Sequence, residues 1–70
     1  MLLTTSQIAR VIGCNNVNAW KATQRWQARG VVVESVATGA RPTRAVAVDD
    51  VARMLGLRVE DVCELAGVRR

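Results

Sequence analysis

The first apolar positions of the chain repeat with a helical spacing. Three apolar residues share one side of a helix: Ile8, Val11 and Ile12. Thr4 and Gln7 have the spacing of a capping box, in which each side chain bonds to the backbone N–H of the other residue. Leu3 can pack against Ile8 across that cap as a hydrophobic staple, and Gly13 can take the positive φ that ends a helix. The pattern predicts a short helix within residues 3–13.

A second amphipathic stretch follows after a very short connection. Asn15 and Asn16 are good N-cap residues, and the pattern predicts a helix from about residue 17 to residue 29 that stops at Gly30. Two helices joined by a tight turn that contains glycine form a helix-turn-helix.

This second helix has two different sides, because an α-helix turns by about 100° per residue. One side carries residues that suit a core: Ala19, Ala22, Thr23 and Trp26. The other side carries most of the basic and amide side chains: Asn18, Lys21, Gln24, Arg25 and Arg29. Trp20 lies about 100° from Ala19, at the boundary. Both tryptophans are predicted to be core residues; the alternative is a stacking platform for bases, which usually needs several aromatic residues on an exposed sheet.

The pattern then changes to two runs rich in β-branched residues, at 31–36 and 43–48, without a helical period. Gly39 and Pro42 lie between them in the segment 37–42 and are strong turn residues. The tip and the return strand carry two basic residues: Arg41 and Arg44. The pattern predicts a β-hairpin, and a hairpin directly after a helix-turn-helix is the layout of a winged helix.

Two short helices complete the pattern. Asp49 or Asp50 is expected to start a third helix that runs through about Leu55, and a fourth is expected from about residue 59 to residue 66. The last residues, 68–70, are expected to fray. The predicted fold is mostly α with a small β-hairpin: a winged helix-turn-helix with two short helices after the wing, in a single domain spanning residues 1–70.

Charge divides the chain into two parts. Residues 1–48 contain six basic residues and one acidic residue, whereas residues 49–70 contain four basic and five acidic residues. The net charges of the two parts are therefore +5 and −1. This asymmetry suits a polyanionic partner for the first part, with an ordinary solvated surface as the alternative.

The candidate chemistry follows from the predicted layout. The second helix of a helix-turn-helix enters the major groove, where Asn and Gln can pair with adenine and Arg and Lys with guanine. The predicted base readers are Asn18, Lys21, Gln24 and Arg25. Three further residues at the helix ends are predicted phosphate contacts: Asn15, Asn16 and Arg29. Two residues of the wing are predicted to lie in or across the minor groove: Arg41 and Arg44. The alternative is that all of these side chains only form a solvated surface.

Other classes of site have little support in the sequence. There is no histidine, and Cys14 and Cys63 are far apart, so we expect neither a zinc site nor any other metal or cofactor. Two buried thiols are expected; a disulfide is the alternative. No constellation for nucleophilic or acid–base catalysis is recognisable, so no enzyme is expected. No apolar run approaches the roughly 20 residues of a membrane span, and the start lacks signal-peptide features, which predicts a cytoplasmic protein with no membrane partner.

Residues 3–55 resemble small winged-helix DNA-binding domains of the MerR/excisionase-like type, whose second helix ends in Trp-x-x-x-Gly, as Trp26 to Gly30 does here. The second helix is about one turn longer than is usual in that group. In this it looks more like the N-terminal domains of phage Mu-type transposases and repressors, which the positions of Val17, Trp26 and the basic wing match. The fourth helix falls outside the resemblance. The resemblance implies binding of phage DNA ends, an enhancer or an operator, in a bacterial host cell.

The leading hypothesis is therefore sequence-specific binding of double-stranded DNA, either by a phage transcriptional regulator or by the non-catalytic front end of a transposase. Self-association or further domains of the same protein are expected to supply additional affinity. The alternative is a small protein-interaction adaptor, which would dock a partner through the less basic part, or an excisionase-like architectural factor.

Overall fold

The computed structural model describes residues 1–38 and 41–68, without the side chains of Thr38 and Arg41. In this part of the chain, four helices pack with a three-stranded antiparallel sheet. The elements in chain order are β1 (Leu2–Thr4), α1 (Thr5–Ile12), α2 (Asn16–Ala28), β2 (Val33–Thr38), β3 (Arg41–Ala47), α3 (Val48–Leu55) and α4 (Val59–Ala66). The strand order in the sheet is β1-β3-β2. A mostly helical domain with a hairpin is therefore confirmed.

Helix α1 begins as the sequence predicts. The Gln7 backbone N–H donates to Thr4 Oγ1 at 3.4 Å, and the Thr4 backbone N–H donates to Gln7 Oε1 at 2.9 Å. Leu3 and Ile8, the expected staple residues, are both fully buried in the same core. Gly13 ends the helix with φ of 80°, and its N–H donates to the Ala9 carbonyl at 2.8 Å.

Helix α2 starts from an Asn15 N-cap, whose Oδ1 accepts from the Asn18 backbone N–H at 2.9 Å. The helix runs from Asn16 to Ala28, one residue earlier at each end than the predicted range. Arg29 is the C-cap, and Gly30 adopts a φ of 98°, which turns the chain so that the Val31 N–H donates back to the Trp26 carbonyl at 3.0 Å. Val31 is consequently buried.

The hairpin is longer than the sequence predicts. Residues 37–42 were expected to form the turn, but β2 extends to Thr38 and β3 begins at Arg41, with Ala37 opposite Pro42 and Thr38 opposite Arg41. Pro42 is tolerated in β3 because β1 pairs only with residues 45–47, so β3 has one free edge at Pro42. The predicted turn residue Gly39 lies outside the described residues.

The strand β1 was missed by the sequence reasoning. Its three residues pair antiparallel with the end of β3, Leu2 opposite Ala47, Leu3 opposite Val46 and Thr4 opposite Ala45. A strand this short is below the length at which alternation is readable in a sequence. It ties the start of α1 to the sheet.

The start of α3 differs from the prediction. Neither Asp49 nor Asp50 is the N-cap: the helix begins at Val48 after Ala47, which makes no side-chain capping bond. The Val48 N–H donates instead to the Met1 carbonyl at 3.0 Å, so the residue before β1 supplies an acceptor for one of the helix N–H groups that has no partner within the helix. The two aspartates occupy the first turn, where the helix dipole favours negative charge.

Helix α4 forms over the predicted residues and stops at Gly67, whose φ is 73°. The chain does not fray at Val68: that side chain packs against the core, and its N–H donates to the Cys63 carbonyl at 2.9 Å. Arg69 and Arg70 lie outside the described residues.

One core joins all of these elements. Its fully buried large members are Leu3, Ile8, Val46, Val51 and Val62. Helix α4 packs on α1 and α3, so it belongs to the same core as the helices before it. Cys63 is buried as expected, Cys14 is only half-buried, and both thiols are free. Across residues 1–38 and 41–68, no helix has the length and apolar character needed to cross a membrane.

Candidate functional site

The two sides of α2 are separated as the sequence predicts. Its buried residues are Ala19, Ala22, Thr23 and Trp26. The predicted readers on the opposite side are all exposed: Asn18, Lys21, Gln24 and Arg25. Helix α2 packs against α1, which leaves the polar side facing solvent. The helix is therefore packed into the core on one side and presents a continuous polar surface on the other.

Trp26 is the largest side chain on the buried side of α2. It is 7% exposed and belongs to the core cluster, as predicted. Thr23, one turn earlier, is fully buried, and its hydroxyl donates to the Trp20 carbonyl at 2.7 Å, so no buried polar atom is left unpaired there. This side of α2 is structural.

Trp20 is not a core residue, contrary to the prediction. Its side chain is 40% exposed, and the Arg44 guanidinium carbon lies 4.7 Å from the centre of its ring. The boundary position on the helix explains this: the core side of α2 turns away from Trp20, and strand β3 of the hairpin covers it only in part. The pairing with Arg44 is a contact between distant segments, which helical periodicity does not reveal. In the sequence, only the position of Trp20 about 100° around the helix from Ala19 indicates that its ring lies at the edge of the core.

Trp20 and Arg44 line an open groove of about 680 Å³ between the first turns of α1 and α2 and the hairpin. The other lining residues are Thr5, Ser6, Asn16, Val17, Ser35, Pro42 and Thr43. The Thr5 hydroxyl donates to the Arg44 carbonyl at 3.3 Å and so links the start of α1 to β3. A second, smaller hollow beside Arg44 is lined by Gln27, Val33, Glu34 and Ser35.

The predicted site residues fall into separate groups. Asn16 and Arg44 line the same groove, and Asn15 stands at the helix start with its side-chain oxygen committed to the cap. Arg29 is exposed at the other end of α2, about 20 Å from Asn16 along the axis. The Arg41 side chain lies outside the described residues. The groove was not foreseen, because it forms only when α1, α2 and β3 come together.

The cations of the molecule differ in how they are paired. In α3, Arg53 donates to Asp50 at 2.6 Å, and at the start of α4, Arg58 donates to Asp61 at 3.1 Å. The hydrogen bond to Asp61, with the negative charges of Asp61 and Glu60, raises the pKa of the Arg58 guanidinium.

Three cations of α2 and its C-cap have no such partner. Within the described part of the chain, no carboxylate lies within ion-pair distance of Lys21, Arg25 or Arg29. The positive charge on α2 is therefore not neutralised internally, and an external anion can contact it directly.

The described residues contain no group of three or more His, Cys, Asp or Glu side chains that could hold a metal ion. Comparisons of the chain with protein-family models, with curated proteins and with solved structures find no match. Function therefore has to be inferred from the surface of α2, the hairpin and the groove between them.

Proposed function

We propose that the protein binds double-stranded DNA with sequence preference, as a winged helix-turn-helix domain. In this proposal α2 enters the major groove and the β2–β3 hairpin is the wing, which lies on the adjacent groove or on the backbone. The main support is the exposed side of α2, on which Lys21 and Arg25 stand next to two amide side chains and have no carboxylate partner among the described residues.

The packing of α2 suits this role. A helix that reads base edges must be held firmly, because a misplaced hydrogen bond loses discrimination between bases. The opposite side of α2 is anchored by Trp26, and its first turn is fixed by the Asn15 cap. The polar side chains are thus displayed on a helix whose position is set by the core.

The side chains divide into two kinds of contact. Asn18, Lys21, Gln24 and Arg25 can make the bidentate or single hydrogen bonds that distinguish adenine and guanine in the major groove. Phosphate contacts, which set register without reading sequence, are assigned to Asn15, Asn16, Arg29, Arg41 and Arg44. In this proposal the protein binds without catalysis, metal or cofactor.

Two biological settings are consistent with this activity. The domain could serve a phage transposase, binding DNA ends or an enhancer, or it could be a phage transcriptional regulator in the bacterial cytoplasm. The resemblance of residues 3–55 to Mu-type domains supports both. A single domain with few phosphate contacts should bind weakly and with strong salt dependence, so we expect a second domain or a second copy to add affinity.

The test is a salt-dependent binding titration with fluorescently labelled duplex DNA. Lys21→Ala and Arg25→Ala should each weaken binding by about 1–3 kcal/mol if they contact bases, or lower the salt slope by about 0.9 if they contact one phosphate. Arg53→Ala and Arg58→Ala are matched controls, since each also removes one exposed cation. Equal losses in all four variants would mean that only net charge matters, which would contradict a defined site.

A second candidate is a protein-interaction adaptor that uses α4 and the turn before it. Leu65 is 50% exposed and Leu57 is 38% exposed, so this part of the surface has apolar side chains that a protein partner can contact. Sedimentation velocity with and without DNA separates the two functions. A stable dimer that does not respond to DNA favours the adaptor, whereas a monomer that sediments faster with duplex favours DNA binding.

A further inference from the structure

We propose that Trp20 and Arg44 form one unit that grips a phosphate, and that the sugar–phosphate backbone of one DNA strand lies in the groove between α2 and the hairpin. This inference rests on the proposed function, since it names where one strand runs. It also gives Trp20 a direct role in binding, as a surface residue that positions Arg44 and contacts the strand.

The groove has the right location for such a strand. One wall is the first turn of α2, through Asn16, Val17 and Trp20, and the opposite wall is β3, through Pro42 to Arg44. The same helix carries Lys21 and Arg25 on its exposed side. A duplex that receives α2 in its major groove brings one backbone alongside the helix, and the groove is the concave surface beside it.

Among the described residues that line the groove, Arg44 is the only charged one. Its guanidinium carbon lies over the Trp20 ring, 4.7 Å from the centre, and the side chain makes no ion pair or hydrogen bond with another described residue. Glu34, which lines the neighbouring hollow, is outside ion-pair distance. Stacking leaves the in-plane N–H donors of a guanidinium open, and these match the geometry of a phosphate. The groove therefore complements an anion.

Trp20 contributes in two ways. Its ring holds the guanidinium in one plane, which reduces the rotamer freedom that Arg44 would lose on binding. With Arg44 in place the side chain is still 40% exposed, so apolar surface remains for a deoxyribose. Three hydroxyl groups around the pair add neutral donors: Ser6, Ser35 and Thr43.

A nucleic acid strand fits these features better than an acidic peptide. The groove is open, so a continuous chain can pass through it, and its described lining contains one cation, Arg44. Carboxylate side chains of a peptide would need several cations at spaced positions, whereas a backbone segment offers one phosphate flanked by sugars. The acidic peptide is kept as an outcome of the test.

The experiment is a double-mutant cycle on DNA affinity with Trp20→Leu, Arg44→Gln and the double variant. Each single change should weaken binding of a labelled mixed-sequence duplex. The loss from Trp20→Leu alone should be about two- to five-fold, the range expected of an exposed cation–π pair. The loss in the double variant should be smaller than the sum of the two single losses, because the contact between Trp20 and Arg44 can be lost only once.

Three further readouts separate this role from a structural one. Arg44→Gln should lower the salt slope by about 0.9, the value for one phosphate contact. Trp20→Phe should bind like the unchanged protein, because it keeps an aromatic face. Thermal unfolding of Arg44→Gln and Trp20→Phe should match that of the unchanged protein, and every variant should remain folded at the temperature of the titration, which shows that affinity is lost in the groove and not through the fold.

Each alternative outcome is distinct. Additive losses in the double variant would overturn the coupled unit. Unchanged binding by Trp20→Leu and Arg44→Gln, together with weakened binding by Lys21→Ala, would overturn the groove assignment and leave the proposed function standing. Failure of the unchanged protein to bind any duplex would remove the proposed function itself. Oligoglutamate that shifts the Trp20 indole signal at lower concentration than duplex would replace the DNA strand by an acidic peptide.

Discussion

Helix α2 and the pair α3–α4 present their cations to solvent in different ways. Lys21 and Arg25 project from α2 with no carboxylate partner in residues 1–38 and 41–68, whereas Arg53 and Arg58 each bind an aspartate three residues away. Exposed pairs of this kind contribute little to stability, but they neutralise the surface on which they lie. The positive charge without an ion-pair partner in the described residues therefore lies mainly on α2 and the hairpin, and the proposed DNA binding rests on that surface.

The largest effect is expected from removing Trp26, the largest buried side chain of α2. Trp26→Ala should destabilise the fold by roughly 3–5 kcal/mol through the cavity it leaves, which is most of the stability of a domain this small. Trp20→Ala is the matched control on the same helix and should cost about 1–2 kcal/mol, because its ring is only partly buried. Urea unfolding followed by circular dichroism measures both. A folded Trp26→Ala protein that had lost DNA binding would revive the stacking interpretation of this tryptophan.

The next largest effect comes from reversing the charge of cations in each of the two regions and comparing the DNA affinities. Lys21→Glu with Arg25→Glu should reduce DNA affinity by about 1–3 kcal/mol for each side chain, because two contacts become repulsive. Arg53→Glu with Arg58→Glu changes the net charge by the same amount and should leave most of the affinity in place. Competition binding at fixed salt compares the DNA affinities of the two double variants. Equal losses of affinity would contradict the difference proposed between the two regions.

A smaller effect concerns the support that α1 gives to α2. Thr4→Ala removes the capping box and should lower the free energy of unfolding by about 1 kcal/mol. Ser6→Ala, in the first turn of the same helix, removes an exposed hydroxyl that caps nothing and should be nearly neutral. The midpoints of urea unfolding give both values. If the two variants are equally stable, the cap does not hold α1.

The smallest effect on stability is expected from breaking an ion pair of the α3–α4 region. Arg58→Ala should leave the unfolding midpoint unchanged within error, since Arg58 is exposed and its pair with Asp61 is accessible to solvent and salt. Thermal unfolding at low and at high salt provides the measurement. A clear loss of stability at low salt would show that these pairs hold α3 and α4 in place.

Local signals account for what could be predicted from the sequence. The Thr4–Gln7 cap, the Asn15 cap, the stops at Gly13 and Gly67 and the buried side of α2 all depend on residues within one or two turns of each other. Such short-range preferences are readable without knowing the fold. The polar side of α2 follows from the same periodicity, so its exposure was also predictable.

Contacts between distant segments account for what was missed. Strand β1 exists only because β3 lies beside it, and the start of α3 depends on the Met1 carbonyl. The position of Trp20 was misread for the same reason, since the Arg44 guanidinium that covers it comes from a strand 24 residues later. The groove joins three elements and has no signature in any one of them.

The most direct test of the proposed DNA-binding surface is an NMR titration of short duplex DNA into isotopically labelled protein. We expect the shifts to concentrate on the exposed side of α2, at Asn18, Lys21, Gln24 and Arg25, and on β3 around Arg44. Residues of α3 and α4 should remain nearly unchanged. Shifts confined to α3 and α4, with α2 unaffected, would contradict the account.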